Sequence, residues 1–509
     1  MPATLSAILQ DPLLIKEFRT RMRARTVLIV ELLYIVAICG IVFLGYLFTR
    51  TREDAPGWEL GSALFRTITY VQAVLMFFVS PLVSASAISG EKEQKTFDSL
   101  VVTPVSPRRI ILTKLVAALG CFVVLVLASL PFACASFILG GVAPGDIVTA
   151  YALTLLCTAA VGAMGLYWST RFERSIASIP AAAVCAVLVM IVASALGEMN
   201  LRAIATVSPL NFLSMLYEGT GIPFFGRDCP FWLPCAALLG LGFLYLVAAA
   251  RARLQFPQER GYVAQRFLAL LLFLVVAAFL AGERVRPADQ APVAREQVAG
   301  VLMAFTILLT AVAPWVGANL PVYRSRAWVR PNWAARLAGA VLLDPGRFIM
   351  LLALGAAPVL AWTMHTAGSM NLAHSAVWLV WFGVVAVCML TWALLALRLA
   401  DGITLKRRFI GMSAAYVIVG VLTVAPMALF HLLPVAEGAT RPVWLQYVSL
   451  LSPLRAVESI ENPHEFARAL PAVVNVFGAS GPVLAACGTY LAASLALLLP
   501  WSRRKPNAA

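Results

Sequence analysis

The residues with the clearest chemical potential lie in one polar segment between apolar stretches, residues 88–110, which reads ISGEKEQKTFDSLVVTPVSPRRI. Its acidic start is followed by Phe97, Leu100 and Val101 at helical spacing and by a Thr103-Pro104 stop. This pattern predicts a short amphipathic helix that lies along a membrane surface and offers one face to a partner. It fits a solvated connecting loop as well, so the pattern alone leaves both interpretations open.

Other kinds of chemistry find no support in the sequence. No Gly-Lys dipeptide occurs anywhere in the chain, so no Walker A loop can cradle a nucleotide phosphate. No nucleophile motif singles out a catalytic triad, and neither HExxH nor paired CxxC spacing is present. We therefore expect that this chain is not an enzyme and binds neither a metal nor a cofactor itself. The four histidines are interpreted as interfacial or loop residues: His365, His374, His431 and His464.

The composition places these polar residues in a membrane protein. The chain has 509 residues, of which 61% are hydrophobic and 12% are charged, against roughly 25% charged in soluble domains. Lipid must therefore cover much of the surface, and the bilayer is a partner. The formal net charge of +15 is attributed to topogenic Lys and Arg, and no nucleic-acid partner is expected.

Apolar windows predict an all-α integral membrane protein with about 12 transmembrane helices in two six-helix halves. In this topology 28 of the 39 Lys and Arg lie on one side and 10 on the other. The positive-inside rule then predicts a multi-pass protein with both termini in the cytoplasm. Glu31 and Arg66 fall inside predicted spans, where snorkelling or a local ion pair would account for them. Cys229 and Cys235, at an outer loop, could be bridged or free.

The two halves share their span pattern and indicate a degenerate parallel repeat, with predicted domains at 1–255 and 256–509. Local matches support the repeat. The tripeptide Ser208, Pro209, Leu210 recurs as Ser452, Pro453, Leu454 in the long outer loop before the last span of each half. Both loops mix apolar and polar residues, which predicts short helices that dip into the interface.

With these residues identified, the polar segment resembles the cytoplasmic loop after the second span of type-2 ABC exporter permeases. The matching residues are Glu91, Glu93, Thr96, Leu100, Thr103, Pro104, Ser106 and Lys114. Lys95 stands where that family usually has Gly, which suggests a different local turn. The resemblance implies a coupling helix that touches an ATPase subunit. We therefore predict that Glu91 serves coupling more than folding.

Two further segments are similar to parts of that family. Residues 11–21 resemble its amphipathic elbow helix on the inner surface, with charged positions at Lys16, Glu17, Arg19 and Arg21. The two Ser-Pro-Leu loops resemble its outer re-entrant region. In the second half, the basic segment Arg324–Arg336 replaces the acidic loop.

The resemblance implies the permease of an ABC exporter in the cytoplasmic (inner) membrane of a prokaryote. ATP and Mg would then be bound by partner ABC ATPase subunits, two of them, and not by this chain. The alternative is an ion-coupled secondary transporter with parallel repeats and no ATPase partner, which should place coupling carboxylates near mid-membrane. No such carboxylate is evident in the sequence.

Overall fold

The computed structural model describes residues 12–22, scattered positions between 32 and 47, and residues 57–97, 106–198, 201–224, 227–254 and 259–284. By its internal contacts the chain divides into two compact units. One comprises Met1–Ile222 and Asp228–Phe279, and the other comprises Pro223–Arg227 and Leu280–Ala509. The described residues fall almost entirely in the first unit. The predicted domain boundary at residue 255 stays a prediction.

Helices dominate the described residues. In chain order they are α1 (Pro12–Met22), α2 (Gly57–Ala85), α3 (Ser89–Glu93), α4 (Pro107–Leu139), α5 (Pro144–Arg171), α6 (Ser175–Glu198), α7 (Arg202–Ala205), α8 (Pro209–Glu218), α9 (Trp232–Leu254) and α10 (Glu259–Arg284). Two short strands, β1 (Ile222–Phe224) and β2 (Arg227–Cys229), pair in a two-stranded sheet.

Five of the described helices are long and apolar enough to cross a bilayer, and they coincide with predicted spans two to six of the first half. Their spanning segments are Gly61–Glu93, Arg108–Leu139, Pro144–Arg171, Ser175–Ser194 and Trp232–Leu254. The 29 residues of α2 extend about 43 Å at 1.5 Å per residue, which exceeds the roughly 30 Å hydrocarbon core.

Of the other predicted spans, only the seventh lies within the described residues. The first, near Val27–Phe48, lies largely outside the described residues. The seventh, Phe267–Ala281, falls on α10, whose apolar part, Ala264–Phe279, is shorter than a full span. The spans beyond it also lie outside the described residues, so the total of about 12 remains a prediction.

Proline is the first residue of four of the described helices, α1, α4, α5 and α8. Pro107, Pro144 and Pro209 lie in the first turns of α4, α5 and α8, each directly after a residue in the extended conformation. The first turn tolerates proline because its backbone N–H groups have no partner inside the helix. The opposite end of α8 is closed by Gly219 with a φ of 61°, the left-handed conformation that ends many helices.

The loop between α6 and α9 is more ordered than a simple connection. It holds the predicted short helices, α7 and α8, and also the sheet of β1 and β2. The sheet was not predicted, and it corrects the all-α class by one small hairpin. Three-residue strands carry too few alternating apolar residues to stand out in the sequence.

The core is built by close approach of α2 and α5. A Cβ at Gly165 of α5 would lie 2.2 Å from the carbonyl oxygen of Pro81 in α2, and a Cβ at Gly162 would lie 2.7 Å from Ser80 Oγ. Such contacts exist only because glycine lacks a side chain, which is the usual way in which membrane helices approach closely. This contact fixes the C-terminal part of α2, which leads into α3.

Candidate functional site

The predicted coupling segment begins with a sharp corner between α2 and α3. Ala87 N donates to Ser84 O at 3.2 Å, and Gly90 N donates to Ser86 O at 3.0 Å, so the chain turns without leaving these backbone groups unpaired. After α3, Lys95 takes a φ of 58°, in the left-handed region. Glycine adopts this conformation freely, whereas for another residue it costs about 1 kcal/mol or more. Lys95 thus adopts the backbone conformation typical of glycine. The different local turn that was expected at this position does not follow from the replacement of Gly by Lys.

Buried serines hold this corner to neighbouring helices. Ser169 Oγ at the end of α5 accepts hydrogen bonds from Ile88 N and Ser89 N, each at 2.8 Å. Ser89 Oγ lies 2.9 Å from Ser178 Oγ of α6, and both hydroxyls donate to Ala85 O at 2.8 Å. Ser89, Ser169 and Ser178 are all fully buried. The corner is thus bound to α5 and α6 by hydrogen bonds that are buried away from solvent.

Lys92 of α3 fastens the end of α5. Its Nζ donates to Thr170 O at 2.8 Å and to Phe172 O at 3.4 Å. A cation at these carbonyls complements the negative end of the α5 dipole. The same ammonium lies 5.6 Å from the centroid of the Phe97 ring, within the distance of a cation–π interaction.

Lys114 of α4 forms the centre of a buried ion cluster. Only 1% of Lys114 is exposed. Its Nζ donates to Glu91 Oε1 of α3 at 2.6 Å and to Glu17 Oε1 of α1 at 3.1 Å. We call these three residues the lysine node. It joins three segments that are far apart in the sequence, and it shows that Glu91 has a structural role besides the predicted coupling role.

Helix α1 lies against α4 next to the lysine node. Leu14 is buried, and a Cβ at Gly120 of α4 would lie 2.3 Å from Cε2 of Phe18, so the phenyl ring rests directly on that glycine. On its other side α1 exposes Ile15 together with the charged Lys16 and Arg19. A helix with both apolar and basic residues exposed is suited to a membrane surface.

The predicted site residues are only partly brought together. Glu91 lies in the lysine node, Glu93 Oε2 accepts from Ser175 N at 3.4 Å, and Thr96 N donates to Glu91 O at 2.9 Å. Ser106 caps α4 by accepting from Arg109 N. Leu100, Thr103 and Pro104 lie outside the described residues, and with them the rest of the predicted amphipathic helix after Phe97.

The tripeptide Ser208, Pro209, Leu210 begins α8. Ser208 occupies its N-cap position and Pro209 its first turn; both are buried, and Leu210 is half-buried. Its counterpart Ser452, Pro453, Leu454 lies outside the described residues. Re-entry of these two loops into the membrane stays a prediction.

Tyr217 fixes α8 to α2. Its hydroxyl hydrogen-bonds Thr69 Oγ1, and its ring meets Phe65 edge-on at 6.0 Å. The guanidinium of Arg66 lies 5.1 Å from the ring centroid. Burial raises the pKa of the Tyr217 phenol above its usual value. Arg66, which was expected to snorkel or to form an ion pair, is exposed and lies over an aromatic ring, whereas Glu31 lies outside the described residues.

The described cysteines are all free. Cys235 is buried and donates to Thr206 O at 3.4 Å, while Cys229 is half-buried, so the two predicted candidates for a disulfide are separate thiols. Burial raises the pKa of the Cys229 thiol. Among the residues that the structure describes, no group of three or more His, Cys, Asp or Glu could hold a metal ion. The four histidines lie outside them.

Sequence reasoning missed two contributors to this site, Ser169 and Ser178, and the buried position of a third, Lys114. Ser169 and Ser178 are small polar residues within apolar helices, and nothing in their spacing distinguishes them from other serines. Lys114 matched the family pattern but was counted as a basic residue of an inner loop, whereas it is buried about two turns inside α4. The apolar residues on both sides of Lys114, in ILTKLVAAL, are a signal that could have indicated a buried lysine in need of acidic partners.

One comparison with known proteins covers this site. Residues 12–222 match the family described as ABC-2 family transporter protein. The matched range begins at the first residue of α1 and contains α3, the serine contacts and the lysine node. No curated protein sequence matches the chain. The match over residues 12–222 supports an ABC-2 type permease, a membrane-embedded transport component, in this part of the chain.

Proposed function

We propose that this chain is the membrane-spanning permease subunit of an ABC exporter. It would move a substrate across the cytoplasmic membrane of a prokaryote, with ATP and Mg bound by separate ABC ATPase subunits. The observation that carries the proposal is the position of the family motif in the structure. Glu91, Glu93 and Thr96 of the motif lie in α3 and the adjoining turn. Helix α3 is bound to α4, α5 and α6, and Lys114 links it in turn to α1.

These attachments make α3 suitable for transmitting movement. A short helix on a flexible loop would absorb a push from a partner, because the loop would deform first. Here the backbone of Ile88 and Ser89 is bound to Ser169, and the side chains of Glu91 and Lys92 are bound to α4 and to the end of α5. A displacement of α3 must therefore shift these helices or break buried polar contacts.

The turn after α3 provides an exposed surface for a partner. Glu93, Gln94, Lys95 and Thr96 are all exposed. None of them is a large apolar residue. Binding of an ATPase here would therefore depend on polar contacts and shape complementarity more than on burial of apolar surface. The partner would touch this tip while the buried side of α3 stays attached to the helices.

The alternative is a secondary transporter with parallel repeats. It would need acidic residues deep inside the membrane to couple ions to transport. In the described spanning helices the acidic residues lie only near helix ends, such as Glu59 in α2 and Asp146 in α5. This distribution favours the ABC interpretation.

The proposal is tested by the ATPase rate of the purified complex in lipid nanodiscs. We expect the chain to change the rate of its ATPase partner, and Gln94→Trp, which puts a bulky group on the exposed tip, to weaken that effect. Asp228→Trp provides the matched control, because Asp228 is exposed in β2 of the loop predicted to be outside. An ATPase rate that is the same with and without the chain would refute the proposed function.

A further inference from the structure

The lysine node places one ammonium group between two carboxylates in a buried setting. Lys114 is 1% exposed, and the side chains of Glu17 and Glu91 are 20% and 23% exposed. Burial of a charged lysine destabilises the folded protein unless the charge is paired. Hydrogen bonds between an ammonium group and a carboxylate are among the strongest in proteins. Both contacts of Lys114 therefore matter for where α1 and α3 lie.

Glu91 depends on this one lysine for its charge partner in the described structure. Its Oε1 lies 2.6 Å from Lys114 Nζ, while Oε2 is buried without a hydrogen-bond partner among the described residues. Loss of the Lys114 ammonium would leave a half-buried carboxylate without the cation that offsets its desolvation. Glu91 would then move towards water and take α3 with it.

We propose that Lys114 is a positioning residue that locks the surface helix α1 and the coupling segment α3 to the same turn of α4. Movement of α3 would then shift α1 as well as α4, because both carboxylates follow one ammonium group. The proposal rests on the proposed function for its meaning in transport. The lock itself is a property of this chain and can be tested without an ATPase.

The test measures distances by pulsed electron paramagnetic resonance on the purified chain in nanodiscs. Spin labels on a cysteine-free background at Arg19 and Val123 report α1 relative to α4. Labels at Gln94 and Val123 report α3 relative to α4; all three positions are exposed. We expect narrow distance distributions for both pairs in the chain with an intact node.

The variants separate the two contacts of Lys114. Glu17→Gln should broaden only the α1 distribution, Glu91→Gln only the α3 distribution, and Lys114→Met both. Lys114→Arg, which keeps the charge, should restore narrow distributions. Glu59→Gln is the control, since Glu59 is exposed in the first turn of α2 and lies outside the node, and should change neither pair.

A general loss of folding would not produce this pattern. If Lys114→Met does not fold, the triple variant with Glu17→Gln and Glu91→Gln removes the charges of all three residues of the node together and provides the same comparison. Unchanged distributions in Lys114→Met, or in the triple variant, would overturn the proposal. So would broadening of both pairs by Glu17→Gln alone.

A second readout concerns the complex with its ATPase. Lys114→Met should lower the stimulation of ATP hydrolysis roughly tenfold, within the usual range of coupling between sites, and Lys114→Arg should restore it. Intact stimulation in a Lys114→Met chain with released α1 and α3 would refute the role in coupling. Absence of any ATPase effect in the unchanged chain would refute the proposed function and leave the distance result standing.

Discussion

Gly165→Ala should force α2 and α5 apart and destabilise the protein strongly, although it adds only one methyl group. The added Cβ would lie 2.2 Å from the carbonyl oxygen, 2.7 Å from Cα and 2.8 Å from the carbonyl carbon of Pro81. These are backbone atoms and cannot rotate away, so the helices must separate. We expect a loss of about 3 kcal/mol or more, at or above the upper end of ordinary overpacking.

Gly240→Ala in α9 is the matched control for this change. A Cβ at Gly240 would meet nothing within 4 Å, and alanine is favoured over glycine in helices by roughly 0.5–1 kcal/mol. Thermal unfolding of the purified chain in detergent should therefore shift down for Gly165→Ala and stay level or rise slightly for Gly240→Ala. Equal melting temperatures for the two variants would contradict the close packing of α2 on α5.

Ser169→Ala should loosen the corner between α2 and α3. The substitution removes the hydroxyl that accepts from Ile88 N and Ser89 N, each at 2.8 Å, and leaves both buried N–H groups without this acceptor. Each such loss costs about 1–3 kcal/mol, so we expect a total of about 2–6 kcal/mol. Alanine fits the space left by serine, so packing should change little.

Two measurements check this effect: amide hydrogen exchange of the segment around Ile88 reports the local opening of the corner, and thermal unfolding reports the loss of overall stability. Exchange should accelerate there in Ser169→Ala. Ser86→Ala is the control, because Ser86 is exposed and, among the described residues, its hydroxyl donates only to Val83 O in the preceding turn. Exchange at Ile88 and Ser89 that stays as slow as in the unsubstituted chain would show that Ser169 does not hold the corner.

Much of the helical framework could be predicted from the sequence. Apolar stretches of 20 residues or more have few alternatives to a spanning helix, because lipid leaves backbone groups no other partners. The predicted segment Ile110–Leu139 agrees closely with the observed span Arg108–Leu139. The location of the polar segment at the ends of α2 and α4 follows from the same reasoning.

The details of the site could not be predicted in the same way. Lys114 and Glu17 are 97 residues apart in the chain, and no periodicity connects them. The role assigned to Glu91 was coupling more than folding, yet its carboxylate also pairs with a buried lysine. The conformation of Lys95 escaped prediction because a lysine gives no indication of a left-handed turn.

Native mass spectrometry of the affinity-purified complex tests the central claim most directly. If one chain contains both six-helix halves, a single copy should supply the whole translocation unit. We predict one copy of the 54.7 kDa chain with two ABC ATPase subunits. Two copies of the chain per complex would contradict the fused arrangement of the halves, and a stable chain that carries no ATPase subunit would contradict the ABC exporter function itself.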